Sequence, residues 1–226
     1  MQVAYGCSGS RSDDTGGIKK AIVSWLSESI NASDKPLNPN SKTGRGHHHP
    51  VTSELLTPAA LLADWTPELQ KALLDGNALL DGRPVVPADW PAFLYDGPYN
   101  HAAPWVGMLR GKLLVTAFKH IFLSPTSAVL DDSELDSGDG KGTKSGNAAR
   151  HGMTAVTPAS IAYTAAQVHF ALTSHHTFSK TNKAIWSKPL YDSIREYFED
   201  ESFQDEHDRL LNWWNQYVFP HSHNMI

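Results

Sequence analysis

The chain has 226 residues, 40% hydrophobic, 19% charged and 10% aromatic, which excludes wholesale disorder and suffices for one sizeable core. Its formal net charge of -5 argues against a general nucleic-acid binder. No apolar run reaches the ~20 residues of a membrane span, no secretory signal opens the sequence, and the lone Cys7 excludes a disulfide framework or a cysteine-based zinc site.

Residues 1–12 are polar and rich in Gly and Ser, so a flexible N-terminus is expected. Ile18 to Leu26 places apolar residues at 18, 21, 22, 25 and 26, the spacing of an amphipathic helix, after the good N-caps Ser12, Asp13, Asp14 and Thr15. Residues 31–52 are Pro/Gly-rich and read as an irregular connection. Thr57-Pro58, Thr66-Pro67 and Thr157-Pro158 share one helix-start device. Each puts a hydroxyl at the N-cap and a proline at the first helical position, where a missing N–H costs nothing. Strand signals are thin, and at most Arg83 to Val86 pairs briefly.

Val106 to Leu123 reads as a long helix with Lys112, Thr116, Lys119 and His120 on its wet stripe. Residues 131–146 are acidic, Gly-rich and poor in apolar residues, which predicts a flexible insert. Val156 to Thr173 carries no formal charge and is apolar nearly all round, the mark of a helix surrounded by others. Leu190 to Glu199 and Asp205 to Phe219 complete the helices, and 220–226 is a flexible tail. The expected architecture is mostly α. It is one domain over 1–226, with six to eight helices around a buried central helix at 157–173 and long irregular loops at 31–52 and 131–150.

Charge is uneven. Residues 97–191 carry 9 basic and 5 acidic groups, whereas 192–226 carry 2 and 8. From Gly140 to Tyr191 there is no carboxylate, yet Lys141, Lys144, Arg150, Lys180, Lys183 and Lys188 are present. One reading folds the acidic C-terminal helices back onto the basic middle as solvated pairs. The other makes segment 140–191 a patch for nucleic acid or an acidic protein.

Catalytic signatures are sparse. Gly138 to Ser145 approaches a phosphate-binding loop, but Thr143 stands where glycine is needed and no buried strand precedes it. There is no G-x-S-x-G elbow and no HExxH. Twelve histidines are many for this length. A metal would draw on His48, His120, His151, His175 and His176. His207-Asp208 resembles the dyad of metal-dependent phosphohydrolases, but its run of acids reads as a solvated helix face. Of the adjacent Trp213 and Trp214, one must sit at the edge of the core and offers an anchor for a partner.

Several strings carry a family likeness: Arg11-Ser-Asp-Asp-Thr15, Lys42-Thr-Gly-Arg-Gly-His47, Lys119-His-Ile-Phe-Leu-Ser-Pro125, Ser145 to Thr154, Val156 to Tyr163 and Trp213 to Pro220. Together they resemble a domain of unknown function expanded in mushroom-forming (basidiomycete) fungi, in many copies per genome, from about Arg11 to Pro220. The resemblance implies a fungal, intracellular protein and no particular activity. It draws attention to Arg45, His48, His120, Asn147, Arg150 and His151 as ligand-binding candidates. Arg45 and Arg150 lie in loops, where a guanidinium can hold phosphate or carboxylate. The insert at 131–144 is longer than the family's usual form.

The function read from these features is a non-enzymatic binding module for nucleic acid or a protein, in cytoplasm or nucleus, without membrane contact or cofactor. Two alternatives stand beside it: a histidine-metal hydrolase or oxygenase, and a scaffold assembling through the Trp213-Trp214 edge.

Overall fold

The computed structural model describes residues 2–86, 88–128, 146–176 and 187–219, with side chains from Asp13 onward. In chain order the elements are α1 (Gln2–Trp25), α2 (Pro50–Leu56), α3 (Pro67–Leu74), β1 (Leu79–Leu80), β2 (Arg83–Pro84), α4 (Lys112–Phe118), α5 (Asn147–Arg150), α6 (Pro158–Leu172), α7 (Ser187–Glu199) and α8 (Gln204–Val218). Short 3₁₀ turns join several of them, and Lys119–Leu123 extends α4 as a π-helical turn. The protein is mostly α, and β1 and β2 form the one sheet among the described residues.

α6 is the central helix that its uncharged sequence predicts. A capping box starts it: the Thr157 hydroxyl accepts the Ser160 N–H at 3.2 Å, and the Ser160 hydroxyl oxygen accepts the Thr157 N–H at 3.0 Å. Pro158 occupies the first turn, where no hydrogen bond is lost. With Ala162, Ala165 and Ala171 buried, neighbouring helices approach closely, and α6 packs against α1, α2, α4 and α7. One apolar cluster joins Ile18 and Ile22 of α1, Leu114 and Phe118 of α4, Ile161 and Val168 of α6, Ile194 of α7 and Trp214 of α8.

The three Thr-Pro starts divide. Thr66 caps α3 by accepting the Leu69 N–H at 3.1 Å. Thr57 instead closes α2: its hydroxyl donates back to Ser53 O at 2.8 Å, and Pro58 leads into a 3₁₀ turn at Ala59–Asp64. The irregular connection ends early, since α2 begins at Pro50. α1 starts at Gln2 rather than near Ile18.

The helix expected over 106–123 begins only at Lys112. Gly107 and Leu109 have φ of 73° and 55°, outside any right-handed helix. The segment instead lies against residues 93–96, with Asp96 N–H bonded to Gly107 O at 2.8 Å. A Cβ on Gly111 would stand 2.0 Å from Phe93 O, so only glycine fits that approach. Leu109 keeps its strained backbone because its side chain is fully buried and its carbonyl accepts the Trp214 Nε1–H at 3.0 Å. The wet stripe also loses a member: Lys119 is buried, its Nζ 4.4 Å from the Tyr217 ring centroid.

β1 and β2 pair antiparallel with Leu80 opposite Arg83. The turn is Asp81-Gly82, both at positive φ, the Asp-Gly signature of a tight hairpin. The sequence 147–150, expected within a loop, forms the short α5. Most of the 131–146 insert and the 220–226 tail lie outside the described residues.

Candidate functional site

Three polar assemblies surround the core. The first lies between α1, α5 and α6. Asp14 accepts the Tyr163 hydroxyl at 2.9 Å and the Asn147 side-chain amide at 3.2 Å. The same amide donates to Ile121 O at 2.9 Å, in the π turn, and Thr15 donates to the Gln167 amide oxygen at 3.0 Å. Half-burial pushes the Asp14 carboxyl up, against the hydrogen bonds from Tyr163 and Asn147. His120 packs edge-on to Trp25 at 5.3 Å, and burial lowers its basicity. These groups join the middle and the C-terminal end of α1 to α5, α6 and the π turn.

The second assembly collects at the C-terminal end of α6. Arg45 is 1% exposed and donates to Ala171 O at 2.7 Å and to Lys19 O and Asn38 O at 2.9 Å each. Lys42, also 1% exposed, donates to His175 O and lies 3.3 Å over the Phe170 ring. Both basic side chains sit on carbonyls at and beyond the negative end of the helix dipole, where a helix lacks partners of its own. His169 meets the Ser187 hydroxyl at 3.0 Å and His47 meets Ser53 at 3.0 Å. Burial first, then neighbouring basic side chains, push His169 down to about 3 and His47 to about 4. Arg45 falls to about 10 by burial alone.

The third assembly is on the surface. Trp213 and Tyr217 stack at 5.3 Å with planes 12° apart, Arg110 lies 5.3 Å from the Trp213 ring, and Lys119 packs on Tyr217. Trp214 is fully buried, so the pair divides between core and edge as adjacent helical residues must. Tyr217 is 39% exposed, and the turn that supplies Arg110 leaves Trp105 51% and Val106 54% exposed.

The spatial pattern unites segments far apart in the chain, from α1 to α8. A family model matches residues 5–219, almost the same span. The chain belongs to DUF6698, a family of unknown function. No curated protein and no solved structure matches it.

In this DUF6698 member the six candidates do not share one centre. Asn147 and His120 belong to the first assembly and Arg45 to the second, while His48, Arg150 and His151 are exposed. Of the metal candidates, His175 is half-buried and His176 exposed. Among the described residues no three His, Cys, Asp or Glu side chains gather closely enough to hold a metal ion. His207 reverses its expectation: it is 2% exposed, enclosed by Tyr197 at 4.6 Å and Phe198 at 5.2 Å, while Asp208 next to it is exposed. The aromatic residues of the α7–α8 corner cover it, which a run of acids in the sequence conceals.

Asp14, Lys42, Tyr163, Gln167 and His169 were not visible as site residues. Asp14, Lys42 and Tyr163 do lie within the family-like strings. Gln167 and His169 had a signal as well, being polar groups in an otherwise apolar helix that require partners when buried. Among the described residues, Lys188–Asp192 joins the basic middle to the acidic C-terminal segment within α7. Lys188–Asp192, Arg195–Glu199 and Arg209–Glu206 pair along their own helices, and Lys141, Lys144, Lys180 and Lys183 lie outside the described residues.

Proposed function

We propose that this DUF6698 member is a non-enzymatic binding module that takes a protein partner on the face built by α8 and the 105–110 turn. The observation that carries the reading is the stacked Trp213–Tyr217 pair with Arg110 beside it and Trp105 exposed on the same turn. Trp, Tyr and Arg dominate binding hot spots. Trp and Tyr bury large area with little loss of side-chain freedom, and the planar fork of Arg stacks and donates several hydrogen bonds. Exposed Glu196, Glu199, Asp205 and Asp208 on α7 and α8 favour a protein over a phosphate backbone there. The buried polar groups support a non-enzymatic role, since the terminal guanidinium nitrogens of Arg45 and the Asn147 amide donate to carbonyls and a carboxylate of the fold itself. An intracellular location is part of the proposal, supported by the lone cysteine. The fungal distribution rests on the motif strings alone. No described helix is long and apolar enough to cross a membrane.

The test places a photo-crosslinking residue at Trp105 or at Gln216 in producing cells, with Asn31 as control. One protein species joined from both positions, and lost with Arg110→Glu, is the expected result. Capture of a second copy of the chain would favour the assembly form, and capture of nucleic acid would favour the reading through segment 140–191. No species shared by the two positions would refute the proposal.

A further inference from the structure

We propose that Lys42 is a proton-sensitive latch: with a neutral amine it seals the 38–49 connection against the end of α6, and its protonation loosens that closure. The geometry begins with burial. Lys42 is 1% exposed, its amine on His175 O and over the Phe170 ring. Among the described residues, the charged or titratable groups around it are basic. Lys19 comes from α1, Arg45 and His47 from the connection, His169 from α6 and His175 from the segment after α6, while α7 supplies only the neutral Ser187. None of these groups forms an ion pair with a carboxylate among the described residues. The stretch 177–186 cannot supply one, because the sequence from Gly140 to Tyr191 contains no Asp or Glu.

An ammonium in that setting loses its hydration and gains no counter-ion. The carbonyl, the ring and the helix dipole favour the charged form, but a neutral amine keeps the N–H to His175 O. Burial therefore dominates, with Arg45 and Lys19 adding repulsion, and Lys42 is pushed down from 10.5 to about 7. Lys42 exposed by opening would titrate at its ordinary value. From the folded value near pH 7 up to about 10.5, the open form holds a proton that the closed form lacks. Each unit of rising pH therefore closes the latch about tenfold, and below about pH 7 the effect levels off.

Hydrogen exchange on the full chain reads this directly. The amides of Arg45, His49 and Thr173 are hydrogen-bonded to Lys42 O, Gly46 O and His169 O and report closure. After correction for intrinsic exchange, their protection should rise about 50-fold between pH 7 and pH 9, with Lys42→Met flat over that range. Equal slopes in wild type and Lys42→Met would overturn the proposal. A second measurement needs no variant: the Lys42 side-chain ¹³Cε shift of the wild type should titrate with a midpoint near 7. A midpoint near 10.5 would overturn it.

Discussion

Thr57, Thr66 and Thr157 precede proline in the same way, yet the structure gives their hydroxyls different tasks, and substitution by the isosteric valine separates these. At Thr157 the hydroxyl accepts the Ser160 N–H, and the Ser160 side chain returns the bond to the Thr157 N–H. Thr157→Val removes that acceptor at the start of the central helix, and losing such a cap costs about 1–2 kcal/mol. Ser160 is 8% exposed, so water replaces the lost bond poorly. At Thr57 the hydroxyl donates to Ser53 O, a carbonyl that already accepts the Thr57 N–H at 2.8 Å. Thr57→Val leaves that carbonyl satisfied and the buried volume unchanged, so the cost is below about 1 kcal/mol. Thr66→Val, at the exposed start of α3, falls between them at about 0.5–1 kcal/mol. Urea unfolding followed by tryptophan fluorescence measures the series, and Thr157→Ser should recover most of the loss. A Thr57→Val cost equal to or above that of Thr157→Val would refute the assignment of these roles.

Other consequences follow from local geometry and burial. A Cβ on Gly146 would lie 1.6 Å from Leu123 O, so Gly146→Ala should cost at least about 2–3 kcal/mol by forcing α5 off the π turn, visible as a lowered urea midpoint. A Cβ on Gly16 meets nothing within 4 Å inside α1, so Gly16→Ala should stabilise by about 0.5–1 kcal/mol in the same assay. His169 and His47 are held neutral at about 3 and about 4, so the unfolded chain binds more protons than the fold as pH drops below about 6.5. Stability should then fall on acidification by about 3 kcal/mol for each by pH 4, and His169→Asn should flatten the profile. Asp14 has the opposite sign: its raised carboxyl retains a proton longer in the fold, so its contribution weakens as pH rises through the carboxyl range. Asp14→Asn, which keeps an acceptor for Tyr163, should therefore lie within about 1 kcal/mol of wild type at pH 7 by urea unfolding.

Helix positions were legible where local chemistry decides them. Thr157 and Pro158 begin α6. Of the apolar Leu210, Leu211, Trp214, Tyr217 and Val218 expected on the buried face of α8, Leu210, Trp214 and Val218 are buried, while Leu211 is half-buried and Tyr217 exposed. The long helix over 106–123 was misread because its apolar periodicity includes Leu109, whose backbone is set by packing and by the Trp214 hydrogen bond. Periodicity reports which residues are apolar, and it carries no information on the φ a neighbouring segment imposes. The Asp81-Gly82 hairpin carried its own signal in the sequence, that of a tight turn.

The sequence by itself determined a mostly α chain, its central helix, the division of Trp213 from Trp214 and the absence of any carboxylate from Gly140 to Tyr191. These depend on periodicity, capping and composition, which act over a few residues or are simply counted. Only the tertiary structure decided what the polar residues do. Arg45 meets Ala171 O and Asp14 meets Tyr163 across more than a hundred residues of chain, and His207 disappears beneath Tyr197 and Phe198. The charge, proton affinity and accessibility of such groups are set by what surrounds them in space, and those surroundings arise from packing between segments distant in sequence.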